Sequence, residues 1–366
     1  MKPSRKLHVA QIAPLYESVP PKLYGGTERV VHYLTEELVA QGHQVTLFAS
    51  GDSETSAELV APCPRALRLS DGCGDKLVPH MVMLDQLMQR AADFDIIHFH
   101  VDYLHFLLSR YCRLPSLTTL HGRLDLTELP FLYRCFHDLP LISLSYAQRR
   151  PLPDANWIGN VYHGIPIRPL KERGGTGGYL AFLGRICPEK RVDRAIEIAL
   201  AAGLPLKIAA KVDPADRSYY VSEIKPLLNR PGIEYIGEIG EKDKADFLGD
   251  AFACLFPIDW PEPFGLTMIE AMRCGTPVIA FEQGSVPEVM TEGVTGFVVN
   301  SVDEAVAAVR RCETIDRVAC RKVFQQRFTS CRMARDYVAL YEQLLGAAPS
   351  EEPSSVWEQT HRLQEI

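Results

Sequence analysis

The chain has 366 residues, of which 46% are hydrophobic and 23% charged, so its length and composition predict two globular domains and exclude a disordered or fibrous protein. Its 39 basic and 46 acidic residues give a formal net charge of −7 without a Lys/Arg-rich stripe, and we therefore expect no nucleic-acid partner. Ten cysteines are scattered singly and no apolar run reaches the roughly 18 to 20 residues of a membrane span, so we expect reduced thiols, no spanning segment and a cytoplasmic location.

The first half of the chain alternates strand-like and helix-like segments. Residues 7–12 form a short apolar run, residues 28–41 have helical spacing, and residues 45–49 are apolar again, which together predict a βαβ unit. Three further strands are predicted, at residues 96–99, 116–120 and 141–145. This alternation is typical of a doubly wound parallel sheet with helices on both faces.

A second sheet of the same kind is predicted after a linker at residues 166–178, where Pro and Gly resist both helix and strand. Strands are then predicted at residues 179–183, 206–210, 233–236, 253–257 and 277–281, and helices at residues 192–202 and 242–251. We therefore place an N-terminal domain at residues 1–168 and a C-terminal domain at residues 169–345. Residues 346–366 are predicted to be a peripheral tail with a short polar helix at 356–363, which could pack back on the N-terminal domain.

Two doubly wound domains bind ligands in the cleft between the carboxyl ends of their strands. The most informative segment for this cleft is residues 256–280, which predicts a strand, a Pro-rich loop, a helix that starts near Gly265, and the next strand. Pro263 keeps Glu262 in the loop, whereas Glu270 lies just inside the helix. The unpaired amides at the helix N-terminus favour a phosphate, so this segment predicts a site for a phosphorylated ligand.

This segment resembles the retaining glycosyltransferases of family 4, which have the GT-B fold, and the resemblance extends over nearly the whole chain. Residues 262–270 are similar to that family's E-x7-E motif, and residues 270–280 are close to its E-A-M-A-x-G-x-P-V-V-A sequence. The resemblance implies that Glu262 binds hydroxyls of the donor sugar and that Glu270 binds the nucleotide ribose. It also implies a donor-binding set around the helix N-terminus: Phe264 and the amides of Gly265, Leu266 and Thr267.

A second similarity lies at residues 182–190, Phe-Leu-Gly-Arg-Ile-Cys-Pro-Glu-Lys, which match the family's F-x-G-R-x-x-x-x-K sequence. By this resemblance Arg185 and Lys190 clamp the diphosphate of the donor and supply the positive charge that a metal would otherwise supply. We therefore expect no metal and no other cofactor, only a nucleotide-sugar co-substrate.

The N-terminal domain supplies its own candidates. Gly25 and Gly26 lie between the first strand and its helix, where glycine lets the backbone approach a ligand closely. They resemble the family's glycine loop, which faces the donor phosphate and the acceptor, and His121 matches its active-site histidine near the reacting sugar. Lys211 and His100 are additional candidates, for a phosphate contact and for the acceptor side of the cleft.

Each candidate also has a purely structural interpretation. Arg185 and Lys190, which have charged neighbours, could form a solvated charge pair. Gly25 and Gly26 could only shape a turn, and His121 could be a hydrogen-bonded structural histidine. Because these residues follow strands of the predicted sheets, we favour the functional interpretation.

Three other motifs are interpreted as structural. Asp93 and Asp95 spell a D-x-D sequence but directly precede an apolar strand, so we interpret them as a strand entry and not as a metal site. His98 and His100 have the spacing of two zinc ligands, but no third ligand is evident, and we expect His98 to be packed. His163, which precedes a glycine, is predicted to form a structural turn near the hinge.

Together these observations predict a GT-B enzyme that moves a sugar from a nucleotide diphosphate to an acceptor hydroxyl, with retention and without metal. A UDP-sugar such as UDP-glucose is the expected donor because it is the commonest in the resembling family, and the acceptor could be a carbohydrate, a lipid-linked sugar or a small molecule. The same fold also hosts nucleotide-sugar epimerases and phosphorylases. A non-catalytic protein that binds a sugar nucleotide is the third alternative.

Overall fold

The structure is a computed structural model and describes residues 5–22, 25–68, 73–168 and 177–347. Seven strands lie in the first half of the chain: β1 (His8–Ile12), β2 (Gln44–Phe48), β3 (Glu58–Val60), β4 (Ile96–Phe99), β5 (Ser116–Thr119), β6 (Leu141–Ser143) and β7 (Trp157–Asn160). The helices between them are α1 (Gly26–Ala40), α2 (Leu77–Gln89), α3 (Phe106–Tyr111) and α4 (Leu129–Cys135). These strands form one parallel sheet in the order β3-β2-β1-β4-β5-β6-β7.

The second half has six strands: β8 (Leu180–Arg185), β9 (Leu206–Lys211), β10 (Ile233–Gly237), β11 (Ala253–Phe256), β12 (Val278–Phe281) and β13 (Gly296–Val299). Its helices are α5 (Val192–Ala202), α6 (Arg217–Tyr219), α7 (Glu241–Gly249), α8 (Leu266–Arg273), α9 (Val286–Val289), α10 (Val302–Arg311), α11 (Arg317–Arg327) and α12 (Ser330–Ala347). The strands form a second parallel sheet in the order β10-β9-β8-β11-β12-β13.

Both sheets are doubly wound, as the alternation of strands and helices predicts. The strand order reverses between β1 and β4 in the first sheet and between β8 and β11 in the second, and ligands bind at such switch points. The central strands β4, β5, β11 and β12 are buried along their whole length, because helices cover both faces of each sheet. The predicted strands and helices lie within two residues of the observed ones.

The main differences from the sequence analysis lie at the edges. Strands β3, β7 and β13 were not predicted, because they are only three or four residues long and carry little periodic signal. Residues 169–176 of the predicted linker, the predicted helix at 356–363 and all but two residues of the predicted tail fall outside the described residues.

Helix α12 returns to the first half of the molecule. It packs against α1, and the Ser330 hydroxyl at its start donates a hydrogen bond to Glu37 Oε2 at 3.2 Å. Tyr337 and Tyr341 of α12 are completely buried. The chain therefore crosses back to the first sheet well before residue 346, where the sequence analysis put the start of the tail.

Candidate active site

A cavity of about 670 Å³ lies between the carboxyl ends of the two sheets. Residues from both halves of the chain form its wall, as expected for a ligand site between two doubly wound sheets. The structure brings every predicted site residue to this cavity: Gly25, Gly26, His100, His121, Arg185, Lys190, Lys211, Glu262, Phe264, Gly265, Leu266, Thr267 and Glu270.

The glycine loop and the start of α8 face each other across the cavity. A Cβ atom added to Gly26 would lie 3.7 Å from Leu266 Cδ1, so the glycine loop lies in van der Waals reach of the Leu266 side chain. Gly265 has a φ of 82°, and a Cβ there would lie 2.7 Å from Met268 Cε, so this turn requires glycine. Leu266 and Thr267, whose amides begin α8 and have no acceptor within the helix, both line the cavity.

Glu262, in the loop that follows β11, forms an ion pair with Lys190, in the segment that follows β8. The Trp260 indole also donates a hydrogen bond to Glu262 Oε2 at 2.9 Å, and Lys190 Nζ lies over the Trp260 ring at 5.2 Å from its centroid. Both side chains are mostly shielded from solvent, with 18% exposure for Lys190 and 12% for Glu262. The pair therefore presents a fixed cation and carboxylate to a ligand in the cavity.

The backbone of Glu262 is held in place by a turn that the sequence analysis did not identify. Gly284 has a φ of 53°, and a Cβ there would lie 2.4 Å from both the nitrogen and the oxygen of Glu262. The next amide, that of Ser285, donates a hydrogen bond to the Glu262 carbonyl at 3.0 Å. Only glycine permits this contact.

Replacing Gly284 by Ala should therefore destabilise the protein and displace Glu262. We expect a loss of about 3 kcal/mol in the free energy of unfolding, from the left-handed backbone and the steric contact together, and lower activity. Thermal unfolding and steady-state kinetics measure the two effects. Gly293→Ala is the matched control, because Gly293 has a φ of 72° but open space around it, and should lose only about 1 kcal/mol. Equal losses in the two variants would contradict the role of the contact.

Glu270 is buried at the centre of an ion-pair network that joins the two halves. Its Oε1 atom accepts hydrogen bonds from Lys244 Nζ at 2.9 Å and from the Arg29 guanidinium of α1 at 3.2 Å. Glu241 pairs with both cations at 3.7 Å. Burial alone would raise the pKa of Glu270, but Lys244 and Arg29 hold that pKa down at about 2. Glu270 is therefore an ionised acceptor at neutral pH.

Arg29 and Lys244 were not among the predicted site residues. Arg29 did leave a signal, since a cation in the first turn of a helix opposes the helix dipole and needs an acidic partner. Lys244 left none, because only the fold shows that it lies on the buried face of α7.

Arg185, the predicted diphosphate clamp, faces three carboxylates. Its guanidinium lies 3.4 Å from Asp213, 3.5 Å from Asp216 and 4.0 Å from Glu189. Lys211 Nζ lies 3.1 Å from the same Asp213. A phosphate that binds Arg185 or Lys211 would have to displace these carboxylates from the cation. The sequence motif alone does not show this competition.

Three histidines meet on the first-sheet side of the cavity. His121 Nε2 lies 2.9 Å from His100 Nδ1, and the His163 ring stacks on His121 with centroids 5.4 Å apart. Burial lowers the pKa of His121 to about 3 and also lowers the pKa values of His100 and His163. All three are therefore neutral at physiological pH. The sequence analysis predicted His163 to form only a structural turn, whereas its side chain lines the cavity.

The motifs with a metal alternative have structural partners. Asp95 accepts a hydrogen bond from the His8 amide at 2.8 Å, which fixes the entry of the neighbouring strand. His98 is packed as predicted, between Tyr341 and Thr119. Within the described ranges, no three His, Cys, Asp or Glu side chains are grouped so that they could hold a metal ion.

Comparison with known families identifies the chain. Residues 24–161 match the family model "Glycosyltransferase Family 4", and residues 167–322 match "Glycosyl transferases group 1", so the two models together extend over most of the chain. The chain belongs to glycosyltransferase family 4. It is therefore a glycosyltransferase with the GT-B fold, and the cavity between its two sheets is the candidate active site.

Three proteins similar to this glycosyltransferase share between 16% and 30% sequence identity with it. A phosphatidyl-myo-inositol mannosyltransferase of Mycobacterium leprae is 24% identical over 332 residues, which are 82% of this chain and 86% of that protein. An uncharacterized 41.2 kDa protein from the cps region of Klebsiella pneumoniae is 30% identical over 128 residues, 33% of this chain and 36% of that protein. The structure of HepE from Anabaena in complex with UDP and glucose has a TM-score of 0.73, with 16% identity over 92% of this chain and 100% of HepE.

The glycosyltransferase contains no membrane-spanning helix in its described ranges, where no helix combines the required length and apolar character.

Proposed function

We propose that this glycosyltransferase transfers a sugar from a UDP-sugar such as UDP-glucose to an acceptor hydroxyl, with retention of the anomeric configuration and without a metal ion. One observation carries the proposal: a single cavity contains the Lys190–Glu262 pair, the N-terminus of α8 and the ionised Glu270, opposite the glycine loop. The choice of UDP is supported by HepE, which shares the fold and was crystallised with UDP and glucose.

The proposed diphosphate position lies between the start of α8 and the two cations Arg185 and Lys190. The first amides of α8 and the helix dipole favour an anion, and the side-chain cations add charge-assisted hydrogen bonds. These groups would stabilise the negative charge that develops on the departing nucleotide. The metal independence that we propose follows from this supply of positive charge.

The two glutamates would hold the hydroxyl-bearing parts of the donor. Glu262 can accept hydrogen bonds from the sugar while Lys190 balances its charge, and Glu270 can accept them from the ribose. Because Arg29 now bonds Glu270 from the other half of the molecule, ribose binding would share or replace that contact. Binding of the donor would thus be coupled to the contact between the two sheets.

The proposed transfer occurs on one face of the sugar. The bond from the anomeric carbon to the phosphate oxygen breaks, the acceptor oxygen bonds to the same face, and the departing phosphate takes the acceptor proton. No covalent enzyme intermediate is needed, so the protein contributes position and electrostatic stabilisation. Neutral His121 can orient a sugar hydroxyl but is not a proton donor at physiological pH, since its pKa is about 3. The proposed acceptor classes are a carbohydrate, a lipid-linked sugar and a small molecule.

A panel of nucleotides tests the donor and the metal independence. We expect UDP to raise the melting temperature by several degrees, more than GDP, ADP or TDP, and equally in EDTA and in Mg²⁺ or Mn²⁺, because a ligand that binds only the native state stabilises it. Differential scanning fluorimetry measures these shifts. A shift that requires the divalent ion would contradict metal independence, and the absence of any shift would contradict the nucleotide site.

The stereochemical course is tested with UDP-glucose and a screen of acceptors in the same assay. Retention predicts an α-linked product, which the anomeric coupling constant in a proton NMR spectrum identifies. A β-linked product would contradict retention. Release of UDP without an acceptor product, or dependence on inorganic phosphate, would indicate an epimerase or a phosphorylase.

A further inference from the structure

A chain of hydrogen-bonded buried side chains runs from the cavity to helix α12. Most of its members come in pairs, two residues apart along a strand or four residues apart along a helix. Residues with these spacings lie on the same face of their element. The pairs are His98 and His100 at β4, Thr119 and His121 at β5, and Tyr337 and Tyr341 on α12, with Gln11 of β1 between them. The side chain of Gln11 is completely buried in the protein.

Gln11 determines the direction of the hydrogen bonds that lead to the cavity. Its amide nitrogen donates to the Tyr341 hydroxyl at 3.3 Å, and its carbonyl oxygen lies 2.8 Å from His100 Nε2. Because a carbonyl oxygen only accepts, His100 Nε2 carries the proton and His100 Nδ1 is a bare acceptor. His121 Nε2, at 2.9 Å, must then be the donor to His100. The proton of His121 is thereby placed on Nε2.

The hydrogen bonds on the other side of Gln11 agree with this assignment. The Tyr341 oxygen accepts from Gln11 and its proton goes to His98 Nδ1 at 2.7 Å. His98 Nε2 then donates to the Thr119 hydroxyl, also at 2.7 Å. Turning the Gln11 amide around would reverse every one of these bonds, so its orientation couples the tautomers of the histidines.

The assignment leaves the second ring nitrogen of His121, a residue that lines the cavity, without a proton. With the proton on Nε2, the buried Nδ1 atom is a hydrogen-bond acceptor, and it has no partner among the residues that the structure describes. His121 itself lines the cavity. A hydroxyl group is the ligand chemistry that satisfies such an acceptor, whereas a phosphate or carboxylate oxygen would be repelled.

We propose that Gln11 and Tyr341 are positioning residues that hold His121 with a bare Nδ1, ready to accept a hydrogen bond from a hydroxyl of the sugar being transferred. This inference rests on the proposed function for the identity of the ligand. The tautomer itself is a property of the protein alone and can be measured without substrate.

The tautomer is tested by long-range ¹H–¹⁵N correlation spectra of the full chain labelled with ¹⁵N-histidine, with signals assigned by replacing single histidines. We expect both His100 and His121 to carry the proton on Nε2 in the wild type. In Tyr341→Phe the Gln11 amide loses its acceptor and can turn around, so a second tautomer of His121 should appear. Tyr337→Phe is the matched control on the same helix: it removes only the hydroxyl that ends the hydrogen-bonded chain, 3.0 Å from Thr119, whose oxygen can still accept from His98, so both tautomers should stay unchanged.

The kinetic arm uses the same variants with UDP-glucose. Tyr341→Phe and Gln11→Met should lower kcat about 3- to 10-fold, the effect of one neutral hydrogen bond, while Tyr337→Phe should keep the wild-type rate. The stabilisation of each variant by UDP should not change, since Arg185, Lys190 and Glu270, the proposed nucleotide contacts, lie in the second half of the chain.

The outcomes separate the two proposals. A proton on His121 Nδ1 in the wild type, or unchanged tautomers and kcat in Tyr341→Phe, would overturn the positioning role whether or not the transferase assay succeeds. The expected tautomers in a wild-type protein that binds no nucleotide and transfers no sugar would overturn the proposed function, and with it the sugar hydroxyl as the ligand of His121.

Discussion

Replacing Lys190 by Met is expected to lower kcat for sugar transfer by about 10²- to 10³-fold, because a preorganised cation aimed at developing negative charge contributes an effect of that size. Lys190 is the cation with the strongest geometric case, since it pairs with Glu262 inside the cavity and lies over the Phe256 and Trp260 rings. Methionine keeps an unbranched side chain and removes the charge together with the hydrogen bond to Glu262. Steady-state kinetics with saturating donor measures the loss.

Lys207→Met is the matched control for this change. Lys207 is also a lysine paired with a glutamate, at 3.4 Å from Glu234, but the pair is exposed and neither residue lines the cavity. It should keep the wild-type rate, because an exposed ion pair contributes little. A fall of less than about 5-fold in Lys190→Met, with the melting temperature unchanged, would contradict the role of this cation in the reaction.

Replacing Glu270 by Gln is expected to lower the free energy of unfolding at pH 7 by about 3 kcal/mol, since it removes the nearer of the two carboxylates that pair with the buried cations Lys244 and Arg29. Glu270 is only 4% exposed, and its partners Lys244 and Arg29 are 7% and 8% exposed. Glutamine preserves the shape of the side chain. Urea unfolding at pH 7 measures the difference.

The same variant should also change the acid sensitivity of the protein. The pKa of Glu270 is lowered from 4.5 to about 2 in the folded state, so its carboxylate stabilises the fold above pH 4.5. That contribution of about 3 kcal/mol is lost progressively as the pH falls from 4.5 toward 2, where the folded state must also take up the proton. Glu270→Gln lacks this group and should show a correspondingly shallower loss of stability over that range.

Glu234→Gln, at the exposed ion pair with Lys207, is the control for both measurements. It should differ from the wild type by less than about 1 kcal/mol at pH 7. The interpretation of Glu270 fails if its variant unfolds with the wild-type dependence on pH, because the network would then hold no carboxylate of lowered pKa.

The arrangement of Glu270 also bears on how the two halves of the enzyme cooperate. Arg29 belongs to α1 beside the glycine loop, whereas Glu270 and Lys244 belong to the second half. A donor that engages Glu270 therefore acts on the contact between the sheets as well as on its own binding. The Gly25–Gly26 loop would respond directly, because it begins the same helix as Arg29.

The sequence by itself determined the central strands of both sheets and placed the predicted site residues just after strands. The apolar runs at β4 and β12 are unmistakable because both faces of these strands are buried. Residues that follow such strands, including His121, Lys190 and Glu262, must lie at one edge of a parallel sheet. Local pattern and one rule of topology thus suffice to bring them to the cavity.

Only the tertiary structure decided which side chains meet. Arg29 and Glu270 are 241 residues apart in the chain, and Gln11 and Tyr341 are 330 apart. No local pattern encodes such contacts, because each partner is an ordinary residue in its own segment. Nothing in the local sequence distinguishes Gly284 from other glycines either, until the backbone of Glu262 is placed against it.

The same reason explains the environments of Arg185 and His163. Local sequence shows that Arg185 is a cation after a strand, but it does not show the three carboxylates around its guanidinium. Local sequence likewise shows that His163 precedes a glycine, but it does not show that its ring stacks on His121. Periodicity and motifs report the direction of the backbone and the type of each side chain. Charge balance, tautomer and burial depend on neighbours that long-range packing supplies, and so only the folded chain determines them.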